Sequence, residues 1–164
     1  MIDVSNRVFI DGFDLWVAFN MIVESGSADF LKYAPKKDSI QHDWIDTNGI
    51  DVDLSRYVFK ERTGTLRCAI ITSSEADFFA KHDSFIATLT QPGSRRLQFA
   101  SHGDRQYNVF YKECNSYDQV KALRGDPTND LIAHRFNLVL TEAQPGVDSD
   151  LIYIVDDEGR FIVT

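Results

Sequence analysis

Two cysteines in 164 residues, Cys68 and Cys114, are too few for a disulfide scaffold. Their surroundings, LRCAI and FYKEC, contain neither a CxxC pair nor a metal-ligand spacing. No apolar run approaches the length of a membrane span, and the opening MIDVSNRVFIDGFDLW lacks the basic-then-apolar order of a secretion signal. A chain folded in a reducing cytoplasm is expected, with no membrane partner. Basic residues are also scarce: 17 Lys and Arg stand against 25 Asp and Glu, a formal net charge of −8. Tight phosphate binding needs clustered cations. The only adjacent arginines, Arg95 and Arg96, follow a Pro-Gly turn and read as a solvated strand start, not as an anion site.

The motifs of common enzymes are missing as well. The four histidines, His42, His82, His102 and His134, form no HxH, HExxH or HxxxH pattern. No GxSxG elbow, phosphate loop or GxGxxG follows a strand. The densest acidic stretch, HDWIDTNGIDVDLS over residues 42–55, tempts a calcium reading. Aligning Gly49 with the glycine of an EF-hand loop puts Trp44 at the first ligand position and Ser55 at the last, and both ends are wrong. Asp51 and Asp53, two apart on one strand face, do not face each other across a cleft as a glycosidase pair must. The residues predict no catalytic group, no cofactor and no metal.

What the sequence has in abundance is apolar residues, 43% of the chain with 12 phenylalanines, and these alternate with polar ones. Ile50, Val52 and Leu54 set against Asp51 and Asp53 have the period of a half-buried strand. So do Leu66, Cys68 and Ile70, then Tyr107, Val109 and Tyr111, then Phe136, Leu138 and Leu140. Leu15, Val17, Phe19, Met21 and Val23 also alternate, which favours a strand over a short helix capped by Asp14. Trp16, Trp44, Tyr57 and Phe59 at strand positions read as core. The stretches 27–39 and 123–130 read as loops, and DLIYIVDDEGRFIVT reads as a hairpin over residues 150–163.

One segment changes period. After Ser74, a box-like start with Asp77 introduces Phe78, Phe79, His82, Phe85, Ile86 and Leu89 at helical spacing, ended by Pro92-Gly93. His82 falls on that apolar stripe, where a partly buried, satisfied imidazole is expected. The predicted architecture is α+β and β-rich, an antiparallel sandwich or partly closed (split) barrel in a single domain, residues 1–164. One amphipathic helix, about residues 75–90, packs on the sheet.

The runs DGFDLWVAFNMIVESG, FLKYAPKK, HDWIDTNGIDVDLS and YVFKERTGTL together resemble a group of prophage-encoded tail proteins of gut bacteria. These in turn are similar to the distal tail and tail-tube proteins of long-tailed phages. The matching positions include Asp14, Leu15, Phe19, Val23, Leu31, Pro35, Lys37, Asp43, Trp44, Gly49, Asp51, Val52, Asp53, Leu54 and Ser55. The match is carried by the first half of the chain, and the second half follows in element order alone. The resemblance implies a structural subunit without enzymatic activity, made in the bacterial cytoplasm and residing in the virion tail. It implies a homo-oligomeric ring, most often a hexamer, contacting neighbouring tail or baseplate proteins around a channel. It makes Asp14, Leu15, Trp44, Gly49, Asp51 and Asp53 interface candidates, and loops 24–39 and 124–130 reach neighbours. DNA would pass without specific binding, along acids such as Asp51 and Asp53. Two other readings remain: a monomeric module binding a glycan or peptide through exposed aromatics such as Trp16 or Trp44, and a hydrolase with a dispersed acid pair.

Overall fold

The computed structural model describes residues 7–55, 57–123 and 131–146, and the 150–163 hairpin and the 124–130 loop lie outside that range. Strands β1 (Val8–Ile10), β2 (Phe13–Asp14), β3 (Met21–Ser25), β6 (Arg62–Thr72), β7 (Arg95–Phe99), β8 (Gln106–Leu123) and β9 (Leu131–Glu142) build one sheet. Its order is β2-β1-β7-β8-β9-β6-β3, and every neighbouring pair is antiparallel. Strands β4 (Gln41–His42) and β5 (Asp51–Val52) form a separate two-stranded ribbon. Among the described residues the order also holds two α-helices, α1 (Leu15–Phe19) and α2 (Glu75–Leu89), and the 3-10 turns Ser27–Phe30 and Ala100–His102. The expected β-rich α+β fold with one substantial helix is what the chain adopts.

The strongest alternations mark the central strands. β6 and β9 pair from Arg62↔Glu142 to Thr72↔Ile132 without a break. Leu66, Cys68, Ile70, Phe136, Leu138 and Leu140 turn to one side and are essentially inaccessible, because side chains two apart on a strand share a face. Tyr107 and Val109 of β8 join the same core. The helix α2 covers it with Phe78, Phe85 and Leu89, and Ser74 caps it by accepting from the Asp77 amide at 3.2 Å. Phe79 was expected on that stripe but is 58% exposed. It lies one residue, about 100° of helical rotation, beyond Phe78.

Two other expectations fail, those for residues 15–19 and for Arg95, and the loop at 27–39 gains a detail, each for an identifiable reason. Residues 15–19 are helical, not extended: Asp14 accepts from the Trp16 amide at 2.9 Å, and Asn20 closes the turn with φ 51°. Leu15 and Phe19 also satisfy an i, i+4 spacing, so local capping settles what the alternation left ambiguous. The 27–39 stretch contains a 3-10 turn, Ser27–Phe30, whose Phe30 is fully buried. Arg95 is neither solvated nor an anion site. Its guanidinium pairs with Asp11 at 3.1 Å and donates to the Pro92 carbonyl at 2.6 Å.

Candidate interaction surface

The acidic stretch belongs to an arm. Between Pro35 and Lys60 the chain runs out and back as two facing legs. Lys60 N–H donates to the Pro35 carbonyl at 2.8 Å, Lys37 N–H to Val58 at 2.7 Å and Asp53 N–H to Ile40 at 2.9 Å. Gln41↔Val52 and His42↔Asp51 continue the ladder toward a tip at residues 43–50. Gly49 turns there with φ 87°, a left-handed backbone that glycine adopts without a Cβ penalty. The arm's side chains look to one another: Lys60 reaches Asp38 at 3.4 Å, Lys36 lies 4.7 Å over the Tyr57 ring, and the His42 and Trp44 rings are 4.3 Å apart.

Every residue from Ile40 to Asp51 is exposed. The row Ile50, Val52, Leu54 is therefore not the buried face of a strand: Ile50 and Leu54 are more than half exposed and Val52 is half-buried. Strand geometry explains the alternation, but no second layer covers it. Trp44 and Tyr57 leave the core for the same reason, while Trp16 and Phe59 are half-buried. Among the described residues, Ile45 is the most exposed apolar one, its side chain entirely in solvent.

The six candidate residues thus separate into two places. Asp14 and Leu15 belong to the body: Asp14 caps α1 and lies 3.3 Å from Arg7, and Leu15 is a core residue. Trp44, Gly49, Asp51 and Asp53 belong to the arm. Asp51 sits across from His42, and Asp53 accepts from the Ser55 amide at 2.9 Å. Hydrogen bonding from Ser55 holds the Asp53 carboxyl below the usual range. Among the described residues, no three His, Cys, Asp or Glu side chains converge where an ion would sit, and no helix is long and apolar enough to cross a membrane.

Among the described residues, the hollows of the body include two of similar size. One, of about 300 Å³, lies where β1, β2, α1 and α2 meet, lined by Ile10, Asp11, Phe13, Ala18, Phe19 and Phe85 among others. Phe13 on its wall is 65% exposed, and Val17 on the same short helix is 72% exposed. The other, about 340 Å³, opens beside the irregular stretch of β8 where Ser116 has φ 55°. Its lining includes Arg67, Asp118 and Arg135, and Glu24 on β3 bridges the two arginines at 3.3 and 2.9 Å.

Beneath α2 lies an aromatic cluster that includes two imidazoles. His134 stacks on Phe78 with ring centroids 3.8 Å apart, and His82 meets Phe78 and Phe136 at 5.4 and 5.6 Å. His82 is half-buried as its helical position implied. Its Nε2, however, has no hydrogen-bond partner among the described residues, and neither has His134 Nδ1. Burial pushes the Tyr117 hydroxyl up to about 12 and raises both thiols, Cys68 most. A buried, neutral thiol is a packing group and a poor nucleophile.

No protein-family model matches the sequence, and no curated protein matches it significantly. Solved structures do match in shape. One is the SPP1 Dit (gp 19.1) protein, described as "a Paradigm of Hub Adsorption Apparatus in Gram-positive Infecting Phages". The two superpose with a TM-score of 0.60 over 85% of this chain, at 14% identity. The chain spans about half the length of that protein, 50% of it being covered. The two share a fold.

Proposed function

We propose that this chain is a structural subunit of a phage or prophage tail, at the distal ring or in the tube, and that it works by assembly and not by catalysis. The observation that carries the reading is the shared fold with a phage hub protein over most of the chain, at an identity too low for the sequence comparison to have supplied it. The exposed arm supports it independently. Monomeric domains do not usually display so many large apolar side chains on one projection, and Tyr33, Ile40, Trp44, Ile45, Ile50, Leu54 and Tyr57 are all exposed there or at its base. Copies of the subunit would close a ring, six to a turn, around a channel and stack against neighbouring tail or baseplate proteins. Assembly would follow folding in the bacterial cytoplasm, and the ring would reside in the virion tail. A net charge of −8 suits a conduit, since carboxylates cannot neutralise phosphates and so release no counterions from the DNA.

Negative-stain microscopy of concentrated protein tests the reading: six-fold rings or short tubes are expected. A DNA titration should show negligible binding, and tight, salt-sensitive affinity would overturn the conduit. A second reading has one observation in its favour, the exposure of Trp44 and Tyr57 on the arm. These rings would suit a glycan or peptide held by a monomer. Saturable glycan binding by a strict monomer, lost in Trp44→Ala, would favour that module over the ring.

A further inference from the structure

Two glycines in the chain follow an aspartate or asparagine, Gly12 after Asp11 and Gly49 after Asn48. Both pairs have the makings of a succinimide ring, because a glycine carries no side chain to shield its nitrogen from the preceding carboxyl or carboxamide carbon. The fold treats them differently. The Asp11 carboxylate accepts from the Arg95 guanidinium at 3.1 Å and from the Arg96 amide at 2.9 Å. A carboxylate is a poor electrophile, and two donors pin this one in place.

Asn48 is free. It and Gly49 lie in the bend between the two legs of the arm, and both are exposed. Among the described residues, neither the Asn48 carboxamide nor the Gly49 amide has a hydrogen-bond partner. A Cβ built on Gly49 would have nothing within 4 Å, so no group beyond its chain neighbours shields the nitrogen. The other described asparagines differ: Asn20 closes α1, and Asn108, Asn115 and Asn137 lie in strands. Each of these is also followed by a residue with a side chain.

We infer that Asn48 is a site of spontaneous deamidation, with water as its co-reactant. The Gly49 nitrogen attacks the Asn48 Cγ and gives its proton to solvent base. An N–Cγ bond forms, and the Cγ–Nδ2 bond breaks as ammonia leaves. Water then opens the imide at either carbonyl. One opening leaves an aspartyl residue at position 48, and the other leaves an isoaspartyl residue whose chain runs through Cγ. The sum is one water consumed and one ammonia released, with no oxidant or reductant.

The change falls where charge is already lopsided. Residues 42–55 hold four aspartates and neither lysine nor arginine, so a further carboxylate adds to repulsion between like charges. The isoaspartyl product also lengthens the backbone beside the left-handed turn at Gly49. Loss of ammonia makes the step one-way, and the arm tip therefore records the age of the molecule. The inference stands whether or not copies of the chain form rings.

The full chain, held in mildly alkaline buffer and sampled over days, makes the test. Peptide mapping by mass spectrometry should show the fragment spanning residues 38–56 gaining the difference between an amide and an acid, with an isoaspartyl form beside the aspartyl one. The folded chain should convert within about 10-fold of the rate of the same fragment free in solution, since an exposed bend needs little opening. Asn48→Gln, whose longer side chain must close a larger ring, should hold its mass over the same period. Its side chain is exposed and unbonded, so the variant should melt like the parent. Asp11 should yield an isoaspartyl form only after the chain is unfolded in urea. Conversion more than about 10-fold slower than in the free fragment, or beginning at another asparagine, would overturn the inference. Isomerisation of Asp11 in the folded chain as fast as conversion of Asn48 would overturn it too, because the fold would then not be choosing between them.

Discussion

Arg62 and Glu142 face each other across the start of β6 and the end of β9, and both side chains are nearly lost to solvent, at 13% and 5% exposure. The guanidinium donates to the carboxylate through Nε at 2.9 Å, and its Nη1 donates to the Lys32 carbonyl at 2.9 Å. It also lies 5.2 Å over the Tyr107 ring. One arginine therefore ties the loop at the base of the arm to β6, β9 and β8. Removing the carboxylate alone strands a buried cation, an outcome that costs about 3 kcal/mol or more in comparable sites. Glu142→Ala should lower the unfolding free energy by about that amount in a urea titration. Replacing both partners by apolar residues should recover much of the loss, and a double variant no better than the single one would refute the pairing argument.

A second constraint is steric. Gly64 lies against Phe30, and a Cβ built on it would stand 2.4 Å from the Phe30 ring. Phe30 in turn packs on Phe99 and Tyr107 with ring centroids at 5.7 and 5.3 Å. A side chain at this position would meet the Phe30 ring, so the glycine lets the ring approach β6 closely. Gly64→Ala should destabilise by about 1–3 kcal/mol, the usual cost of overpacking a close-packed core. Phe30→Leu, harmful by itself, should be less harmful in the Gly64→Ala background. A double-mutant cycle measures that coupling, and strict additivity would show that the contact is not tight.

Much of this was legible in the sequence and some was not, and the division has a physical cause. The helix α2 and strands β6 and β9 are long enough for their periods to be unambiguous, as is the start of β8 from Tyr107 to Tyr111, and each has a buried face to enforce it. The stretch at residues 50–54 shows the limit. Alternation there reports that successive side chains point to opposite sides, which is true of any extended chain. It does not report whether anything covers one side. Glu142 shows the converse: nothing local marks it as buried, because its partner lies 80 residues away. The hollow between α1 and α2 could not be read at all, since it depends on Phe13, Ala18, Phe19 and Phe85 meeting in space.

Histidine chemistry gives a pH signature. Burial holds the His134 imidazole below its ordinary value of 6.5, with Glu75 opposing the effect and His82 adding to it. Burial, aided by Arg105, does the same to His102, whose Nδ1 is 3.0 Å from the Tyr107 hydroxyl. A group depressed on folding is neutral in the native chain while the unfolded chain takes up a proton near 6.5. Between those two values the unfolded state binds more protons, so stability rises with pH. The contribution is complete above about 6.5 and is lost as pH falls below it. His134→Phe keeps a planar ring to stack on Phe78 and removes one titration. Its stability should therefore fall less steeply on acidification than that of the wild type, with His102 supplying the remaining slope. Parallel curves for the two proteins would show that His134 is not the responsible group.

The arm should be dispensable for folding. Its residues 40–51 are all exposed, and the hydrophobic core is drawn from the sheet, α1, α2 and Phe30. The legs also end in good register for a short closure, since the Asp53 amide already bonds the Ile40 carbonyl at 2.9 Å. Replacing residues 41–52 by Asn-Gly would close the ladder with a two-residue turn suited to antiparallel strands. The loop-closure entropy would change only slightly and in the stabilising direction. The shortened chain should unfold within about 0.5 kcal/mol of the parent, as surface changes generally do, while ring formation is abolished. A large loss of stability would instead mean that the arm lies on the body in solution, and its apolar tip would then no longer be free to reach a neighbour.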